Sequence, residues 1–404
     1  MASSPQSSKL GLTPFKGNWS LVLTKHLLSR TLYSAKSADI KRFNALGLTA
    51  SVDELLTITT SLPSPPVNDY NTSTVIDTGS ALGTTWVNSI NNDGTINSNR
   101  RTNYKKWLLS VLVHQETNIR EKMTFFWSNH FGTEADTIVF GTMLYQHHQI
   151  FRSNPIGNYK KLVKSVTIDP AMLRYLNGYL NTKTAPDENY GRELQELYTV
   201  GKDGGAKYTE EDVKAAARVL TGWRYDSNNI AFFDPTRHDT NNKVFSSFYN
   251  NKVIAGKTGV NGAQELDELL DLLFSKTETA KFICRKLYQY FVYYYIDDVV
   301  EKNIITPLSN TLIINGFEIK PVLKQLLESE HFYDSSVRGA IIKSPLEAIF
   351  SMLNGTQSVL NFDLQTTAQM YLTMYTVADQ MGQEYGAPPS VAGWTAYYQA
   401  PAYS

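Results

Sequence analysis

One cysteine, Cys284, stands in 404 residues, so an intramolecular disulfide and a cysteine-rich metal site are both excluded. Charge of one sign is equally scarce: Lys plus Arg and Asp plus Glu are 38 each and the formal net charge is zero. Nothing therefore favours wholesale attraction to nucleic acid or to an anionic membrane, and nucleic acid is not an expected partner. No apolar run reaches the roughly 18 residues of a membrane helix. The aromatic stretch Tyr288 to Ile296, flanked by Arg285, Lys286, Asp297 and Asp298, reads as a core helix, and no transmembrane segment is expected. MASSPQSSKLGLTPF lacks the apolar centre of a secretory signal, and residues 1–15 read as a disordered polar N-terminus. Also missing are HExxH, GxSxG, the phosphate-binding GxxxxGK[ST] loop, GxGxxG and paired CxxC. An enzyme would have to be built from a constellation of separate side chains.

What the chain has in quantity is apolar and aromatic surface, 42% and 12% of residues, enough for a large core. Helical periodicity with capping residues recurs throughout. The expected class is mainly α: a multi-helix orthogonal or bundle-like globular domain with a small β-hairpin excursion after a central helix pair. Residues 16–62 read as N-terminal helices, 63–98 as a long polar loop or insertion, and 99–404 as a helical core forming one fold with 16–62. A long helix is expected from Tyr104 to about Phe131. Further helices are expected at 140–151, from 158, from 170, at 263–274 and 277–296, near 320–330, and at 344–353 and 364–381. The runs NIAFF and KVFSSF suggest the hairpin. The basic run Arg100, Arg101, Lys105, Lys106 reads as a solvated face. His147 and His148, adjacent and so about 100° apart on a helix, read as surface groups.

The densest stretch is Pro186 to Arg224, PDENYGRELQELYTVGKDGGAKYTEEDVKAAARVLTGWR. Pro186 suits a first helical residue, Gly201 a stop, and Thr209 with Asp212 a capping box that opens the second helix. With Tyr190, Leu194, Leu197 and Tyr198 as the buried stripe, Asn189, Glu193 and Glu196 fall along its shoulder, while Arg192 and Glu188 face away. A carboxylate on that shoulder needs a cation, a donor or a metal; Arg218 or Arg224 could neutralise Glu193 or Glu196. His130 sits on an apolar stripe with Met123, Phe126 and Trp127, as a core group with one satisfied nitrogen or as a metal ligand or proton-transfer group. Arg237-His238-Asp239 on the following loop could ligate a metal, arrange a base or cap a turn. In the Pro-Gly end GQEYGAPPSVAGW, Gln383 could reach a polar pocket.

Five motifs in order, KMTFFWSNHF, DPAMLRYLNG, PDENYGRELQELYTVG, YTEEDVKAAARVLTGW and PPSVAGW, resemble the bacterial family catalogued as domain of unknown function 1800, from His26 to Trp394. Asp187 stands where that family often has Asn, and Gly191 where it often has Ala. The resemblance implies a bacterial protein of uncharacterised function, often exported, and a C-terminus that usually continues past PPSVAGW.

Two functional expectations follow. The first is a polar site between helices, hydrolytic and holding a divalent metal. Glu193 and His130 would be the catalytic or proton-transfer groups with Arg218 as electrostatic partner. Asn189, Arg192, Glu196 and Gln383 would bind, and His130, Glu193, Glu196, His238 and Asp239 would be the metal ligands. The second is a non-catalytic scaffold or interaction protein, associated with the cell surface, whose 24 tyrosines supply contact area to a protein or polysaccharide partner. Convergence of the carboxylates and imidazoles on one open pocket would favour the first, and pairing away from any pocket the second.

Overall fold

Several helices begin where the sequence supplies a side-chain acceptor for their unpaired first N–H groups. The computed structural model describes residues 11–202, 205–355 and 362–394; the expected disordered N-terminus up to residue 10, and positions 203–204 of the glycine-rich turn, lie outside them. Ser20 caps α1 (Leu21–Thr31), and α2 (Ser37–Leu46) and α3 (Leu48–Leu55) meet at Gly47, whose φ of 79° lets the chain turn without strain. Asp93 caps α4 (Gly94–Val113); α5 (Arg120–His130), the short α6 (Ala135–Ile138) and α7 (Gly141–Ser153) follow. Asn158 and Asp169 cap α8 (Tyr159–Thr167) and α9 (Pro170–Tyr175). Each such cap contributes about 1 kcal/mol.

The central pair is α10 (Glu188–Glu196) and α11 (Glu210–Val219), the second opened by the Thr209–Asp212 capping box. Pro186 lies outside α10, because the Asp187 carboxylate takes the Asn189 N–H at 2.8 Å and is itself the cap. A Cβ on Gly191 would meet Ala217 N at 3.0 Å and Val213 O at 3.1 Å, so this glycine permits the close approach of α10 to α11. The region after Trp223 folds as two antiparallel hairpins: β1 (Trp223–Tyr225) with β2 (Ala231–Phe233), and β3 (Lys243–Val244) with β4 (Val253–Ile254).

Helices α12 (Glu265–Phe274) and α13 (Thr277–Phe291) come next, then α14 (Asp298–Val300), α15 (Thr306–Ile314) and α16 (Ile319–Leu327). The sequence reading passed over α14 and α15. They are joined by a π turn over Glu301–Ile305, next to Pro307, which has no N–H to continue the ordinary ladder. The chain ends in α17 (Pro345–Gly355) and α18 (Leu364–Gln380). The fold is mainly helical, and its only sheets among the described residues are those two small hairpins.

The single helix expected from Tyr104 to Phe131 is two. At its break Ile119 N–H donates to Leu55 O at 2.9 Å and Asn118 Oδ1 takes the Arg120 N–H at 3.0 Å, so the chain leaves one helix to touch α3 and restarts. The long polar excursion also carries core: Trp86 is fully buried with Tyr104, Trp107 and Leu108. The basic run is not a solvated face. Arg100 is buried and forms a two-pronged pair with Asp77 at 2.8 and 3.0 Å, while Arg101, Lys105 and Lys106 reach Asp136, Glu384 and Asp69.

Candidate functional site

The shoulder of α10 holds its carboxylates as its helical spacing requires, but the cations go elsewhere. Arg192 pairs with Glu210 at 2.6 Å and Glu188 at 3.3 Å on the exposed side, and Glu196 takes Lys202 at 2.7 Å. Asn189 is exposed. Glu193 is half-buried, and no hydrogen bond or ion pair reaches its carboxylate among the described residues; burial first, and then the charge of Glu196, push its pKa up. Arg218 does not neutralise it: its guanidinium donates to Asp239 at 2.7 Å and to Asn242 O at 3.1 Å, and Arg224 lies 3.6 Å from Asp234. A void between α9, the start of α10 and Trp223, which none of these charged groups lines, measures about 10 Å³, room for roughly one water.

His238 and Asp239 belong to a buried charge network that ties the hairpin loop to α11 and α12. His238 Nδ1 donates to Thr221 O at 2.9 Å, its Nε2 lies 3.1 Å from Glu265 Oε1, and Lys243 Nζ lies 2.5 Å from Glu265 Oε2. Burial would raise the Glu265 pKa, but the bonds from His238 and Lys243 hold it below the usual value. Asp239 likewise resists its burial through Arg218 and Asn241, and its pKa falls to about 2. These contacts tie the loop to α11 and α12.

His130 lies in an aromatic box of Phe126, Trp127, Phe131 and Tyr198. Its Nε2 donates at 3.0 Å to the Tyr159 hydroxyl, which in turn donates to Tyr198 O, and Nδ1 has no partner among the described residues. Burial, then the charge of Lys286, pulls its pKa well below 6.5. The two neighbouring histidines are buried rather than on the surface. His147 Nδ1 lies 2.9 Å from Asp169, and His148 bridges Tyr104 at 2.5 Å and Tyr385 at 3.1 Å. Aromatic and acidic partners from distant segments offset the burial of these polar rings. Gln383 is buried too, and its Oε1 accepts the Leu346 N–H at 3.1 Å at the start of α17. Among the described residues no three His, Cys, Asp or Glu side chains gather as a cation site would need.

An open cavity lies elsewhere. A cleft of about 610 Å³ runs between residues 61–69, the outer face of α4, the 114–121 turn and the first turns of α18, lined among others by Trp107, Ser110, Arg120, Glu121, Thr367 and Tyr371. Its wall is the strap SLPSPPV, residues 61–67. Proline fixes φ near about −65° and pushes the residue before it to extended backbone, so Leu62 to Pro66 favour polyproline II, which repeats every three residues. The carbonyls three apart are the ones held: Ser61 O by Arg120 Nη1 at 2.6 Å, Ser64 O by Trp107 Nε1 at 2.8 Å, and Val67 O by Asn103 Nδ2 at 2.8 Å. One edge of the strap is thus bound to α4 and α5 as a proline-rich ligand is bound by an aromatic groove.

At the floor, α5 opens with three consecutive charged residues, all buried. Arg120 takes the strap. Glu121 accepts from Arg152 Nε and Nη2 at 3.1 and 3.0 Å. Lys122 pairs with Glu347 of α17 and sits over the Tyr33 ring at 4.6 Å. The sequence reading missed this set, although REK directly before an apolar run is the signal that could have found it: three charges with no exposed face left to occupy. None of the residues expected to form a site lines the cleft.

Comparison with known families matches residues 26–403 to the family described as "Protein of unknown function (DUF1800)". Neither the curated proteins nor the solved structures give a match.

Proposed function

The chain belongs to the DUF1800 family, and from that premise we propose that it is a non-catalytic binding protein that takes a ligand into the cleft between the strap, α4 and α18. One observation carries this reading: the charged groups around the cleft are already engaged within the chain. Lys106 is paired with Asp69 at 2.7 Å, Arg120 donates to the strap at Ser61 O and lies 3.8 Å from Glu116, and Glu121 is paired with Arg152. A cavity of this size, with apolar walls and fixed polar groups, fits recognition better than acid–base chemistry. The test is a titration with the neutral dye Nile red. Saturable binding by the parent that disappears in Thr367→Trp or Ser110→Trp, each folded by circular dichroism, supports the reading; equal binding by the filled variants removes it.

A second reading keeps the helix pair as a hydrolytic site, and Glu193 favours it, because an unpaired carboxyl raised by burial and by Glu196 suits a general acid. Hydrolysis of simple esters by the parent and its loss in folded Glu193→Gln is the result that would support this reading. The possible divalent metal finds no clustered ligand set among the described residues, so this reading rests on Glu193 alone.

A further inference from the structure

Resting on the binding reading of the same cleft, we infer that its ligand is a neutral oligosaccharide. The charge pattern is the first argument. Asp69 and Lys106 neutralise each other, Glu121 is held by Arg152 through two nitrogens, and Glu116 lies 3.8 Å from Arg120. Among the described residues each charge lining the cleft already faces an opposite one, and an ionic ligand would have to compete with pairs of which Lys106–Asp69 and Arg152–Glu121 are buried and costly to break.

The balance of donors and acceptors is the second. Pro63, Pro65 and Pro66 bring carbonyls to the wall without N–H groups, and carboxylates only accept. With the carbonyls at 61, 64 and 67 bound to α4 and α5, the three-fold repeat sets the remaining strap carbonyls on its other two edges. The strap therefore adds acceptors to a lining that also holds Ser, Thr and Asn side chains able to donate or accept, and such a mixed lining suits uncharged hydroxyl groups, which do both.

Shape is the third. The proline rings, with the parts of the buried Trp107 and Tyr371 rings that reach the cleft, give its lining apolar surface, and a pyranose has an apolar face of C–H groups with hydroxyls around its edge. The volume of about 610 Å³ falls within the range of roughly 300–1,000 Å³ that receives a ligand of drug size, the bulk of a short oligosaccharide.

Isothermal titration of the whole chain tests this with neutral gluco-, manno- and N-acetylglucosamine oligosaccharides of two to four units, uronate oligomers of equal length, and uncharged peptides. The expected result is saturable binding of a neutral saccharide, at least ten-fold tighter than the matching uronate and abolished in folded Thr367→Trp. Binding of uronates as tight, or of uncharged peptides in place of saccharides, overturns the inference. Absence of saccharide binding overturns it as well; Nile red binding that Thr367→Trp removes would then leave the binding reading standing, and its absence would take both down.

Discussion

Arg152 lies over the indole of Trp107, 4.9 Å from the ring centroid, while the edge of the same indole holds the strap through Ser64 O. One side chain thus meets a buried guanidinium of α7 on its face, the proline-rich wall at its N–H and the cleft on what remains. Glu121 fixes the guanidinium from the floor, so strap position and the buried ion pair are mechanically linked.

Removing Glu121 alone leaves Arg152 charged and buried. Glu121→Ala is expected to lose about 3–5 kcal/mol of stability, and the double variant with Arg152→Met to recover more than half of that. Urea denaturation of the four proteins gives the coupling; strictly additive losses would mean that the pair is not a unit.

Trp107→Phe keeps a ring under Arg152 and deletes the donor to Ser64 O. We expect a loss of about 1 kcal/mol and faster amide exchange confined to the peptide spanning residues 58–72. Uniformly faster exchange across α4 and α5 would show instead that the indole is needed for packing rather than for the strap.

Three histidines set an acid limit. Burial, aided by Lys286 and Arg152 respectively, keeps the pKa values of His130 and His148 well below 6.5, and burial with Arg30 lowers that of His26 to about 4. Each is neutral in the fold and protonates on unfolding, so below about 6.5 the unfolded chain holds more protons. Their stabilising contribution is complete above that pH and is lost as pH falls toward 4, by about 1.4 kcal/mol per pH unit for each ring. His130→Phe, which leaves Tyr159 its bond to Tyr198 O, should remove about a third of that slope; an unchanged slope in urea midpoints between pH 6.5 and 4 would show that His130 does not titrate on unfolding.

Gly191 lies within a helix, where alanine is favoured by about 1 kcal/mol, yet its missing Cβ is where α11 backbone approaches to 3.0 Å. Overpacking costs about 1–3 kcal/mol, so Gly191→Ala should be no more stable than the parent in thermal denaturation, and Gly191→Val clearly less. A gain of 1 kcal/mol in the alanine variant would mean that the two helices slide apart freely.

The helices were legible because their signals are local. Thr209 and Asp212 are three residues apart, and Tyr190 and Leu194 repeat within one turn. The buried charges were not, because the partner that makes each burial tolerable is remote in sequence: Asp77 lies 23 residues from Arg100, and Glu121 lies 31 from Arg152. Read singly, Arg100 and His148 look like surface groups. The strap escaped because its repeat is three, which searches at helix and strand periods do not register. Glu193 was placed correctly on its shoulder, but the cations assigned to it answer to Asp239 and Asp234 instead.

The strap also has an order-of-synthesis consequence. Its three holding side chains lie 36, 43 and 59 residues further along the chain than the carbonyls they grip. During translation the segment leaves the ribosome before its own docking surface has been made. Prolines at 63, 65 and 66 keep it extended in that interval and, lacking N–H groups, deny it a neighbour in a growing sheet. The nascent chain thus carries a wall already in shape and waits for the helices that will hold it.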